Sequence, residues 1–142
     1  MKTLSCVLLV VGVVLFSASA DAHHSFSAEF DLNKPVKLTG TITMVRWANP
    51  HAWIYMDVKG DDGKVVNWAW ETSAANQLYR NGWRTTDLKF GMVVTIEGWL
   101  ARNGTPTANA GTVLLPDGRK LGASAQQLPA AGPATDSVPA GR

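Results

Sequence analysis

The chain of 142 residues carries three histidines, and two of them, His23 and His24, stand side by side after the small residues of "SASADAHHSF" at 17–26. A histidine at a chain terminus has a chemical use that an internal one lacks. Cleavage after Ala22 would give His23 a free α-amine, so that amine and imidazole chelate one metal ion together. A third nitrogen from another histidine then completes a T-shaped set suited to copper, which favours tetragonal nitrogen ligation. Cleavage after Ala20 would leave Asp21-Ala22-His23 at the terminus. There the amine, two backbone amides and the third-position imidazole can wrap Cu(II) or Ni(II) in a square plane. In both forms the amine, with an ordinary pKa of about 8, must lose its proton to bind. His51 is the remaining histidine and the candidate third ligand. The expected metal set is therefore His23, His24 and His51. The plainer reading of the same residues is a polar arm and a turn histidine after Asn49-Pro50.

Tryptophan suggests a second kind of site. Six are present, all between Trp47 and Trp99. Trp47, Trp53 and Tyr55 are candidates for an aromatic face that holds a small ligand, a glycan or a partner protein without metal, whereas most of the other indoles read as core. An oxidative copper enzyme is the third alternative, because a mononuclear copper site can do redox chemistry. The ordinary signatures of catalysis are missing. Cys6 is the single cysteine, and no Gly-rich phosphate loop or paired-histidine zinc helix is present. Asp57, Glu71 and Glu97 read as isolated carboxylates on separate strands. Nucleic acid is not an expected partner: the net charge is only +2, and Lys59, Lys64, Arg80, Arg84 and Lys89 are scattered.

The elements that must position these residues are legible in the pattern. Lys2, the apolar run Leu4–Phe16 and two overlapping A-x-A sites make residues 1–22 a secretory signal, with the protein expected in the periplasm or secreted and free of the membrane after cleavage. The run of about 13 residues is short for a membrane span. Cys6 leaves with the signal, so no disulfide or thiolate ligand is expected in the mature chain. Residues 122–142 are dominated by Ala, Pro, Gly and Ser and are expected to be disordered. Residues 23–121 form one small domain.

Within that domain, "PVKLTGTITMVRW" at 35–47 alternates with Val36, Leu38, Ile42 and Met44 on one face, and Gly40 marks an expected bulge or bend. "HAWIYMDVK" puts Ala52, Ile54, Met56 and Val58 on the core face and His51, Trp53, Tyr55 and Asp57 on the other. "GDDG" at 60–63 is a hairpin turn. In the next strand Val66, Trp68 and Trp70 alternate with Val65, Asn67, Ala69 and Glu71. "TSAANQLYRNG" reads as one short helix, capped by Thr72 or Ser73 and ended by Gly82. Two more strands follow, near 92–102 and 107–115. Three strands, a helix and two strands give an all-β fold with a small α contribution, an OB-like five-stranded barrel with one short helix between strands 3 and 4. The second and third strands are the usual ligand platform of such barrels. Phe26 and Phe30 in "FSAEF" are expected to dock on Trp53 and Tyr55, which would bring the arm's histidines towards His51.

The segments "AHHSF", "KPVKLTG", "WANPH" and "LPDG" resemble a family of small secreted bacterial proteins classed as a domain of unknown function. The resemblance covers about Ala22 to Leu121. It implies a periplasmic OB-like barrel, with His23, His24 and His51 at its motif positions and no assigned roles. The residues and the resemblance together lead to a secreted OB-like protein that binds a metal ion, copper first, with a role in copper handling.

Overall fold

The computed structural model describes residues 26–124. His23, His24, the segment expected to be a signal and residues 125–142 lie outside that range. A single helical turn, α1 (Phe26–Glu29), runs directly into β1 (Phe30–Arg46). Then come β2 (Trp53–Lys59), β3 (Val65–Glu71), the short helix α2 (Ala75–Arg80), β4 (Val93–Ala101), β5 (Thr107–Leu114) and β6 (Lys120–Gly122).

β1 is long enough to serve two neighbours. Its first part pairs antiparallel with β4 as far as Thr41, and from Thr41 to Arg46 it pairs antiparallel with β2. β2 pairs antiparallel with β3, and β4 with β5. A parallel pairing of Ala69, Trp70 and Glu71 with Thr107, Ala108 and Asn109 then closes the ring β1–β2–β3–β5–β4. This is the expected all-β barrel of OB type, with a helix between its third and fourth strands. Period-two alternation fills it: Val36, Leu38 and Ile42 from β1, Ile54, Met56 and Val58 from β2, and Trp68 and Trp70 from β3 are all buried. Leu78, Trp83 and Leu88, from α2 and the loop after it, join the same core.

Several local expectations are corrected. The bulge in β1 falls at Thr43, between the pairs Ile42–Met56 and Met44–Tyr55, while Gly40 stays in register with Val94. One extra residue inverts the alternation. Met44, expected inside, is 51% exposed, and Val45 packs on the core instead. Gly40 has a different reason to be glycine: a Cβ there would sit 2.6 Å from the Asp57 carbonyl oxygen, where β2 comes closest.

Neither Thr72 nor Ser73 caps α2. Ala74 is the residue before its first turn, with no side-chain cap. The two hydroxyls are used for tertiary bonds, Thr72 Oγ1 donating to the Ala52 carbonyl and Ser73 Oγ to the Ala123 carbonyl, each at 3.0 Å. Among the described residues the strand count is six rather than five. β6 pairs with Thr112–Leu114 along the edge of β5 that β3 uses at Thr107–Asn109. The expected boundary at Leu121 therefore lies inside a strand, and Ala123 beyond it is fully buried.

Candidate functional site

The start of β2 and the end of β3 lie opposite each other, with Trp53 paired to Glu71. Backbone bonds continue that pairing outwards: Thr72 N–H donates to the Ala52 carbonyl at 2.9 Å, and Ala52 N–H to the Ser73 carbonyl at 3.1 Å. His51, just after the cis Asn49–Pro50 bond, is thus carried next to Glu71 and Thr72. Its Nδ1 lies 3.3 Å from Glu71 Oε1 and 3.4 Å from the Thr72 carbonyl oxygen. The two partners differ in exposure, with side chains 52% exposed for His51 and 12% for Glu71.

This geometry selects the tautomer of a neutral ring. Both groups facing Nδ1 are acceptors, so Nδ1 carries the proton and Nε2 keeps its lone pair. A carboxylate behind a histidine in this way sets the tautomer and orients the far nitrogen, the arrangement found behind metal-ligating histidines. The same contacts also suit a histidine that only ties a turn to the barrel. Among the described residues no three His, Cys, Asp or Glu side chains come together in a group that could hold a metal.

Glu71 is the residue that the sequence reading set aside. Of the three carboxylates read as isolated, Glu97 pairs with Lys37 at 3.2 Å, and Asp57 accepts a bond from Asn67 Nδ2 at 2.7 Å. Only Glu71 meets a candidate site residue.

The aromatic candidates divide. Trp53 and Tyr55 stack at 6.5 Å and 26° on the outer face of β2, half-buried, with Arg46 and Met44 opposite them on β1. Trp47 is not shown with them. It follows Arg46, packs on the core and meets the ring of Trp83 edge-on at 6.2 Å.

The arm also differs from expectation. Phe26 lies against Phe30 at 5.3 Å and edge-on to Trp99 at 6.2 Å, rather than on Trp53 and Tyr55. Arg102 fastens it, with its backbone N–H donating to the Glu29 carbonyl and its Nε to the Ser27 carbonyl, both at 2.8 Å. Even so, Ala28 and Glu29 of the arm share one open cavity of about 500 Å³ with Trp53 and Glu71. The arm's base and the carboxylate that holds His51 therefore line the same space.

The sequence model of a family of unknown function (DUF6152) matches residues 10–110. No curated protein matches the chain.

Proposed function

The chain belongs to the DUF6152 family, and for this member we propose a secreted, periplasmic OB-type protein that binds one transition-metal ion, copper first, and serves in copper handling. The ligands are His51 Nε2 and the amino-terminal pair, with His23 contributing its imidazole and the α-amine freed by cleavage after Ala22. One observation carries the reading: His51 is held through Nδ1 by the mostly buried carboxylate of Glu71 at 3.3 Å, which leaves Nε2 as its metal-binding atom. The cavity shared by the arm's base and Glu71 supports it. Three nitrogens of this kind suit Cu(II), and deprotonation of the amine makes binding weaken as pH falls.

The test uses the mature secreted protein. It should start at His23, bind one Cu(II) per chain and show nitrogen ligation by electron paramagnetic resonance. One added residue before His23 should remove most of the affinity although every imidazole remains. Glu71→Gln should weaken binding about 10-fold or more, as for other residues that orient a ligand. Unchanged affinity in the extended protein would end the amino-terminal chelate.

A second reading rests on the half-buried Trp53–Tyr55 stack: a metal-free module that holds a ligand or partner on the outer face of β2. Saturable quenching of tryptophan fluorescence by such a ligand in chelator-treated protein, lost in Trp53→Ala, would favour it.

A further inference from the structure

Among the described residues the two most exposed large apolar side chains lie on one stretch of chain, Phe90 at 84% and Tyr79 at 62%, and Val93 at 53% follows three residues after Phe90. Phe90 is held in that position. Met92 N–H donates to the Lys89 carbonyl at 3.1 Å, and Gly91 has a φ of 80°, which a tight turn with glycine at its third position requires. Phe90 occupies the second position, the corner. The turn is tied to β1, because Gly91 N–H donates to the Ile42 carbonyl and Ile42 N–H to the Met92 carbonyl, each at 2.8 Å. A fixed turn therefore keeps an aromatic ring in water, which is unfavourable until an apolar phase covers it.

The charge around the turn narrows what could cover it. Residues 79–93 carry three cations, Arg80, Arg84 and Lys89, and one acid, Asp87. None of the three cations forms an ion pair among the described residues. Arg80 bonds to Gln77 Oε1, and Arg84 to the carbonyls of Tyr79 and Trp83, with its guanidinium 4.3 Å over the Tyr79 ring. Asp87 is buried, accepting bonds from the Arg84 backbone N–H at 2.6 Å and from Arg119 Nη1 at 3.0 Å. The charge that this stretch presents to solvent is positive. An acidic protein would match it, but a stable protein interface needs about 800 Å² of fitted surface on each partner, and a corner offers one ring and its neighbours. A bilayer takes an aromatic ring at the level of its headgroups, and its anionic lipids attract Lys and Arg near the surface.

We propose that the Lys89–Met92 turn docks the barrel on an anionic lipid bilayer, with the Phe90 ring at the headgroup level and Arg80, Arg84 and Lys89 drawn to the lipid phosphates. The attraction acts over about 10 Å, so not every cation has to touch the surface. The contact is peripheral and reversible. It uses no metal and goes beyond the copper reading.

Sedimentation with sucrose-loaded vesicles tests it, using the mature protein stripped of metal by a chelator. Vesicles of phosphatidylcholine with roughly one-third phosphatidylglycerol should carry the protein down, and vesicles of phosphatidylcholine alone should not. Raising salt from about 0.1 M to about 1 M should release it. Phe90→Ala should weaken binding about 10-fold through lost apolar burial, and Lys89→Gln about 5-fold through one lost charge. Both side chains are exposed, so neither substitution should move Tm. Equal binding to the two kinds of vesicle, binding to neither, or unchanged binding in Phe90→Ala would overturn the proposal. A lowered Tm in Phe90→Ala would do the same, because the ring would then be a packing residue. Poly-L-glutamate serves as a polyanion without a bilayer. Tighter binding to it than to the vesicles, indifferent to Phe90→Ala, would also refute the proposal and assign the surface to an acidic protein. One Cu(II) bound by protein that ignores both kinds of vesicle would remove the membrane contact and leave the copper site standing.

Discussion

Indoles of similar sequence context have different tasks in this barrel. Trp70 is fully buried, while Trp53 is only partly buried and stacked on Tyr55. Trp70→Ala should therefore cost about 3–5 kcal/mol in urea unfolding, the range for a large core truncation. Trp53→Ala should cost about 1 kcal/mol, an ordinary value for a partly exposed residue. Equal, large losses would make Trp53 a packing residue and remove the outer aromatic face as a place to bind anything. The alternation of "HAWIYMDVK" already separated Ile54, Met56 and Val58 from Trp53 and Tyr55, because one buried face imposes a period of two. What alternation cannot supply is a partner. Glu71 and His51 lie twenty residues apart and meet only through the β2–β3 register. That register follows from the turn at Gly60–Gly63, where Lys59 pairs with Val65 and hence Trp53 with Glu71. Counting back from "GDDG" would have found the pair. Nothing local distinguishes Trp47, whose ring is placed by Trp83 from a distant loop.

At the level of elements, the turn between β5 and β6 is the part most governed by charge. Asp117 accepts bonds from the Arg119 side chain at 2.8 Å and from its backbone N–H at 3.0 Å, and Arg119 also reaches Asp87 Oδ1 at 3.0 Å. The side-chain bond from Arg119, followed by the backbone bond, holds the Asp117 carboxyl below its ordinary value of 3.8. Bonds to Asp117 and then Asp87 push the Arg119 guanidinium up. A carboxyl lowered by folding contributes stability that is present above its unfolded value and is lost as pH falls through the folded one. The contribution of Asp117 should thus fade only below about pH 3.8. An NMR titration should place its midpoint under that of an unfolded peptide, and Arg119→Ala should move it upwards. An unmoved midpoint would mean that Arg119 does not hold the carboxylate. Strands, hairpins and α2 were readable because each has its own periodicity and turn chemistry. The bulge at Thr43 and the strand β6 were not. The bulge follows from β1 changing partners from β4 to β2, and β6 is three residues whose strand character comes from β5.

For the whole molecule, the question is whether the amino terminus and the barrel share one metal ion. A chelate made by the arm alone, from the α-amine, His23 and His24, exists equally in the folded and unfolded chain. It would take up copper without stabilising the fold, because only a ligand that prefers the folded state raises Tm. With His51 as a ligand the metal bridges arm and barrel, and that site is lost on unfolding. Copper free at 100 times its Kd should then add about 2.7 kcal/mol, a rise of about 10–20 °C in Tm for a domain of this size. The rise should shrink as pH is lowered, since protons compete for the ligands. His51→Ala separates the two cases without touching the terminus. It should still bind Cu(II), more weakly, and lose nearly all of the Tm rise. A full rise in His51→Ala would show that His51 is not the barrel's ligand and return it to its simpler part, a turn histidine bonded to Glu71 and Thr72. No rise in the unsubstituted protein, with one copper still bound, would leave the metal on the arm alone.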